Sequence, residues 1–206
     1  MRALRYDRYG SDGDLRVVDV AEPVPRVGEV KVRVVAASLN PLPEYQWTLA
    51  EALRRQGRDS EAASVEQQLL SGGTATDPRT VAVFLATRGI EQQLALELAE
   101  RELTVRRDVF TEDAHAWTLA SARRFDEATA AMERALSAHT NDARLFLHAG
   151  IIAASTGRRA EARRWLDQAD RLRSTLLPSE LEILRTHRSW FQNAAAGRSK
   201  GPRHDS

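Results

Sequence analysis

The chain of 206 residues contains no cysteine. That one absence excludes disulfides, thiolate zinc sites, iron–sulfur clusters and a cysteine nucleophile. A surplus of one charge is missing too, since 30 basic residues face 29 acidic ones for a formal net charge of +1. A nucleic-acid or membrane-surface binder is expected to carry a basic excess, so the balance argues against both. Lysine is nearly absent: Lys31 and Lys200 are the only two among the 30 basic side chains. No apolar run approaches the roughly 18–20 residues that cross a bilayer. Arg2, Arg5 and Asp7 stand where a secretory leader has its apolar stretch, which makes the cytoplasm the expected compartment. No G-x-G-x-x-G occurs, and the single glycine pair, Gly72-Gly73, follows no strand pattern. A nucleotide cradle, and with it a nicotinamide cofactor, is therefore not expected.

What is present changes character near Asn40-Pro41-Leu42-Pro43. Upstream the pattern has period two. Val30, Val32 and Val34 alternate with Lys31 and Arg33, Leu15 to Val20 reads as another strand, and Ala3 to Tyr6 as a short first one. Gly10-Ser11-Asp12-Gly13 supplies a turn, and Pro23, Pro25 and Gly28 punctuate a loop. Downstream of Pro43, alanine, leucine, glutamate and arginine recur at three- and four-residue spacing, which is the period of a helix.

The helical part repeats itself. Ala128 and Ala162, Ala135 and Ala169, and Ala116 and Gly150 are all separated by one common interval. Gly57-Arg58-Asp59-Ser60-Glu61-Ala62 runs parallel to Gly157-Arg158-Arg159-Ala160-Glu161-Ala162, and Ala95 lies midway between Ala62 and Ala128, at nearly the same interval from each. Stacked helix pairs explain why those positions are small, because a bulky side chain at a crossing would push apart axes that sit about 8–10 Å from one another. The spacing places Ala50, Ala116 and Gly150 at crossings in first helices, and Ala62, Ala95, Ala128 and Ala162 at the matching points of second helices. Gly57 and Gly157 are expected to end first helices in the left-handed conformation.

These features resemble the tetratricopeptide repeat, a helix–turn–helix of about 34 residues, and the common interval above equals that length. Four copies are read: Pro43–Thr76, a degenerate Asp77–Asp108, Val109–Asp142 and Ala143–Thr175. The chain departs from the family pattern in three respects. Only Phe146 provides the aromatic that opens a first helix, the closing proline is missing after Ala135 and Ala169, and Val83 and Glu102 stand where small residues are expected. The first 41 residues resemble a different family. Met1 to Gly10, the stretch Gly28-Glu29-Val30-Lys31-Val32-Arg33-Val34 and Ala36-Ala37-Ser38-Leu39-Asn40-Pro41 are similar to the opening of quinone oxidoreductases, medium-chain dehydrogenase/reductase proteins with a GroES-like barrel. The likeness stops at Pro41. The expected architecture is a mainly α chain: a truncated GroES-like β fragment of about three strands (1–41), a tetratricopeptide-like α-solenoid of about four helix pairs (43–176), a capping helix (178–193) and a disordered tail (194–206). A fusion of two parents is the reading that follows.

Little in the sequence asks for catalysis. His115, His139, His148, His187 and His204 form no i,i+4 pair with a carboxylate, so no metal site is expected, and His148 among Phe146, Leu147 and Ile151 reads as a packed histidine. Glu112/Asp113 and Glu180/Glu182 fall at helix starts, where they complement the helix dipole. Ser179 with Glu182 reads as a capping box opening the last helix, whose Leu181, Leu184 and Phe191 face inward while Glu180, Arg185 and Arg188 face out. Arg158, Arg159, Arg163, Arg164, Arg171 and Arg173 form a basic stretch interrupted by Glu161, Asp167 and Asp170, and read as a solvated, partly ion-paired helix surface. The resemblance implies a non-catalytic scaffold that binds a protein or peptide along the concave face of the first helices. The groove residues implied are Trp47, Glu51, Arg54, Asp113, Trp117, Ser121, Arg144, Leu147, Ile151 and Ser155. Packing between repeats is the alternative role for Trp47 and Trp117, and a vestigial reductase with no intact active site is the alternative for the whole chain.

Overall fold

The computed structural model describes residues 2–6, 15–22, 24–26 and 42–196. The chain divides into two units, Met1–Leu39 and Asn40–Ser206. In the first, strands β1 (Arg2–Tyr6) and β2 (Leu15–Asp19) pair antiparallel, with Arg2 opposite Asp19, Leu4 opposite Val17 and Tyr6 opposite Leu15. The turn expected at Gly10–Gly13 and the strand expected at Val30–Val34 lie outside the described residues, as does the stretch 197–206 of the expected tail.

The second unit is helical. Its elements are α1 (Leu42–Arg55), α2 (Asp59–Thr76), α3 (Pro78–Arg88), α4 (Gln92–Val105), α5 (Val109–Ser121), α6 (Phe125–Leu136), α7 (Ala143–Ser155), α8 (Arg159–Arg171), a 3-10 turn at Arg173–Thr175, and α9 (Pro178–Ala196). Local chemistry sets most of these limits. Asp77, Asp108 and Asp142 precede α3, α5 and α7, and each side chain accepts the backbone N–H three residues on, from Thr80, Thr111 and Leu145. Gly57 and Gly157 have φ of 73° and 77° just after α1 and α7, the conformation that glycine adopts without a steric cost. Arg123 holds the corresponding place after α5 at φ 62°.

Helices α2, α6 and α8 start differently. Arg58, Arg124 and Arg158 precede them with no side-chain cap, and each guanidinium instead reaches the carboxylate three residues on, at Glu61, Glu127 and Glu161. Exposed pairs of this kind are screened by water and contribute little, so they trim helix ends without holding the fold.

The fold is held by small residues at crossings. Ala50, Ala62, Ala95, Ala116, Ala128, Ala135, Ala162 and Ala169 are all completely buried. In each of the pairs α1–α2, α3–α4, α5–α6 and α7–α8 the two helices pack on one another. The odd-numbered helices also meet in order, α1 with α3, α3 with α5, α5 with α7 and α7 with α9, and each even-numbered helix packs on the odd one that follows it. One further contact joins α1 to α9. Most of the unit shares one apolar core, but Ala50, Leu53 and Ala62, with Val65 against them, form a separate small core inside the α1–α2 pair.

Two expectations about α9 are corrected. The helix begins at Pro178, so Ser179 lies inside its first turn, and Glu180 rather than Glu182 reaches back to accept a backbone hydrogen bond, from Leu177 at 2.8 Å. Glu180 does not face out. It is 1% exposed, because α1 and α7 come over the start of α9.

Candidate functional site

The inner faces of the odd-numbered helices carry most of the buried polar groups. On α1, Trp47 is buried edge-on against Phe84 of α3, with ring centroids 5.6 Å apart. Its indole N–H donates to Oε1 of Glu51, one turn later, at 3.2 Å. The other oxygen of Glu51 accepts the Ser179 N–H of α9 at 3.1 Å, across 128 residues of sequence. Arg144 of α7 lies over the Trp47 ring at 5.1 Å, is hydrogen-bonded through Nε to Glu180, and stands 3.9 Å from Glu44. Burial works against the charge of this guanidinium, and the carboxylates of Glu180, Glu44 and Asp113 outweigh it, so its proton is held more firmly than usual.

A second cluster lies beside the first. Both carboxylate oxygens of Asp113 are within 2.9 and 3.1 Å of Nδ1 of buried His148. A carboxylate only accepts, so Nδ1 carries the hydrogen. The imidazole stacks on Trp117, with centroids 4.2 Å apart and planes 7° from parallel, and the Trp117 indole donates to Thr87 at 3.0 Å. His148 is thus the packed histidine its neighbours in sequence indicated.

The ten groove residues implied by the family resemblance do not form one open surface. Trp47, Glu51, Asp113, Trp117, Leu147 and Ile151 are buried, Ser121 and Arg144 are half-buried, and Ser155 is exposed with its hydroxyl donating to the Ile151 carbonyl. Arg54 points the other way and makes a two-pronged pair with Glu66 of α2, at 3.1 and 2.7 Å. Trp47 and Glu51 are covered where α1 meets Arg144 of α7 and Ser179 of α9, whereas Asp113, Trp117 and His148 pack on one another. For the tryptophans, the packing role is the one the structure displays.

An open cleft of about 290 Å³ remains where the amino ends of α1, α3, α5 and α7 converge. Glu44, Arg79, Phe110, Asp113, Asp142 and Arg144 line it. Phe110 is 47% exposed, and the guanidinium of Arg79 lies 5.8 Å over its ring and 3.6 Å from Asp108. Burial raises the Asp108 carboxyl, but the backbone N–H and hydroxyl of Thr111, with Arg79 and Arg106 nearby, outweigh that and leave it below the usual carboxylate range. Sequence reasoning found Asp113 and Arg144 but missed Arg79 and Phe110. An aromatic at the second position of a helix, followed by the polar run Thr111-Glu112-Asp113, was the available signal.

Elsewhere the basic stretch is interleaved with acids and rings. Arg158 pairs with Glu161, Arg163 with Asp167 and Arg173 with Asp170, while Arg164 lies over Trp165 and Arg159 over Trp190. Among the described residues no three His, Asp or Glu side chains are grouped to hold a metal ion, and no helix is long and apolar enough to cross a membrane. Comparison with protein-family models, with curated proteins and with solved structures finds no match to this chain.

Proposed function

We propose that residues 42–196 are a tetratricopeptide-like α-solenoid of four helix pairs capped by α9, and that the chain is a non-catalytic scaffold holding a peptide or protein. Several observations support the solenoid reading. Helices α5 and α7 begin one repeat length apart, at Val109 and Ala143. Small residues are buried at matching positions of α1–α2, α5–α6 and α7–α8, and at Ala95 in α3–α4, and the odd helices meet in sequence order. Residues 1–41 are read, on their resemblance, as a barrel fragment brought in by fusion.

The observation that carries the binding reading is the cleft at the helix amino ends. There two arginines present planar donors beside an exposed phenyl ring, and Glu44 and Asp142 complete the lining. Such a surface takes an extended peptide. The guanidinium groups bind a carboxylate or backbone carbonyls, and Phe110 meets an apolar side chain. The test is capture from the source cell with the full chain, comparing the parent with Arg79→Ala/Phe110→Ala. The double variant should lose the captured partner while melting within about 6 °C of the parent, since Phe110 is exposed and half-buried Arg79 gives up an ion pair with Asp108 worth about 0–1 kcal/mol. Identical capture by both chains would overturn the reading.

A further inference from the structure

Of the four helix pairs, α1–α2 is the least embedded. Helix α2 buries three of its 18 residues, whereas α7 buries ten of 13. The pair carries its own small core of Ala50, Leu53 and Ala62. It joins the rest through Trp47 on Phe84, through Leu69, and through the close approach of Gly73 to Val81. Toward α7 and α9, by contrast, its contacts are polar: Glu51 with the Ser179 N–H, Glu44 with Arg144, and the Trp47 ring under the Arg144 guanidinium. Polar contacts of this kind exchange for water at small net cost, while an apolar core does not. Elements with few buried apolar contacts are the ones that open without global unfolding. Beneath α1 lie Phe84 of α3, Arg144 of α7 and the Ser179 N–H of α9, and one of these, Arg144, also lines the open cleft. The cleft is therefore the uncovered end of a surface that α1 covers, and Glu44 of α1 forms part of its wall.

We infer that the α1–α2 pair is a displaceable lid, and that α1 occupies the seat of a partner helix bearing an aromatic side chain with a carboxylate one turn later. The chemistry of that partner is read from α1 itself. An indole fits between Phe84 and Arg144, and a carboxylate at i+4 accepts both the indole N–H and the Ser179 N–H. The inference rests on the peptide-holding function proposed above and extends the site from the cleft to the covered face.

The probe is a labelled peptide of residues 42–58, followed by fluorescence anisotropy against two full chains, the parent and Trp47→Ala/Glu51→Ala. In the parent the tethered α1 competes at an effective concentration in the millimolar range. The variant should therefore bind the peptide at least tenfold more tightly, and a peptide carrying the same two substitutions should bind it at least tenfold more weakly. Equal binding by the two chains, with helical content preserved, overturns the inference. If the variant loses its helices, amide hydrogen exchange of the parent decides. Residues 42–76 should exchange together, at least tenfold faster than α5–α8, and exchange in step with α5–α8 overturns the lid. The two readings fail separately. Identical capture by the Arg79/Phe110 variant with a lid that opens removes the cleft function alone, and a closed lid with capture lost removes the lid alone.

Discussion

Gly150 sits where α7 and α8 come closest. A Cβ built there would lie 2.7 and 2.8 Å from side-chain atoms of Leu166 and 3.2 Å from its backbone nitrogen. Leu166 is 1% exposed and has no room to withdraw. Alanine favours a helix over glycine by about 1 kcal/mol, and overpacking costs about 1–3; with a backbone atom among the contacts the upper part of that range applies, about 2–3, so Gly150→Ala should lose about 1–2 kcal/mol net. In a thermal melt that is a fall of about 2–8 °C, and a variant as stable as its parent would show that Leu166 gives way. This glycine was legible from its offset to Ala116, which matches the interval between the other small positions. Arg123 was not, because its place in the turn is visible only beside Gly157 and Gly57, and its side chain instead settles over Phe125, 5.9 Å from the ring centroid. Glu180 was misread for a related reason. Its own helix shows it on the outer side of the apolar stripe, and the arginine that receives it is 36 residues away.

At the scale of the element, the helix pairs follow from short-range rules that a sequence window contains. Aspartate before an apolar period starts α3, α5 and α7, and glycine after one ends α1 and α7. The start of α9 shows the limit of such rules, since a serine–glutamate spacing suited to a cap lost to Pro178, which occupies the first helical position two residues before the residue expected there. Ala128 tests the pairing of α5 with α6. It is completely buried, and Ala128→Arg would drive a guanidinium into the crossing. A loss of about 3 kcal/mol or more is expected, enough to melt the middle of the unit in circular dichroism. A parent-like melt would show that α6 presents a different face. The groove was illegible at this scale. Whether inner-face side chains are open or covered depends on how the crossing angles of four successive pairs accumulate, and no window of residues records that sum.

For the molecule as a whole, stability is linked to proton uptake through His115 on α5. The ring is half-buried and its Nδ1 has no hydrogen-bond partner among the described residues. Burial lowers its pKa below the ordinary 6.5, with Arg134 and Arg124 acting in the same direction and Glu100 and Glu112 opposing them. Above pH 6.5 the ring is neutral in both folded and unfolded chains. As the pH falls below that value the unfolded chain takes the proton first, so stability drops until the folded ring titrates as well. Melting temperatures measured from pH 7 to pH 5 should fall less for His115→Gln than for the parent, and parallel curves would exclude the linkage.

The hydrogen bond from Ser179 to Glu51 ties the last helix to the first. Two elements far apart in sequence thus share one anchor, whose second oxygen also holds the Trp47 indole. Removing the carboxylate at position 51 would therefore loosen the first helix and the last together.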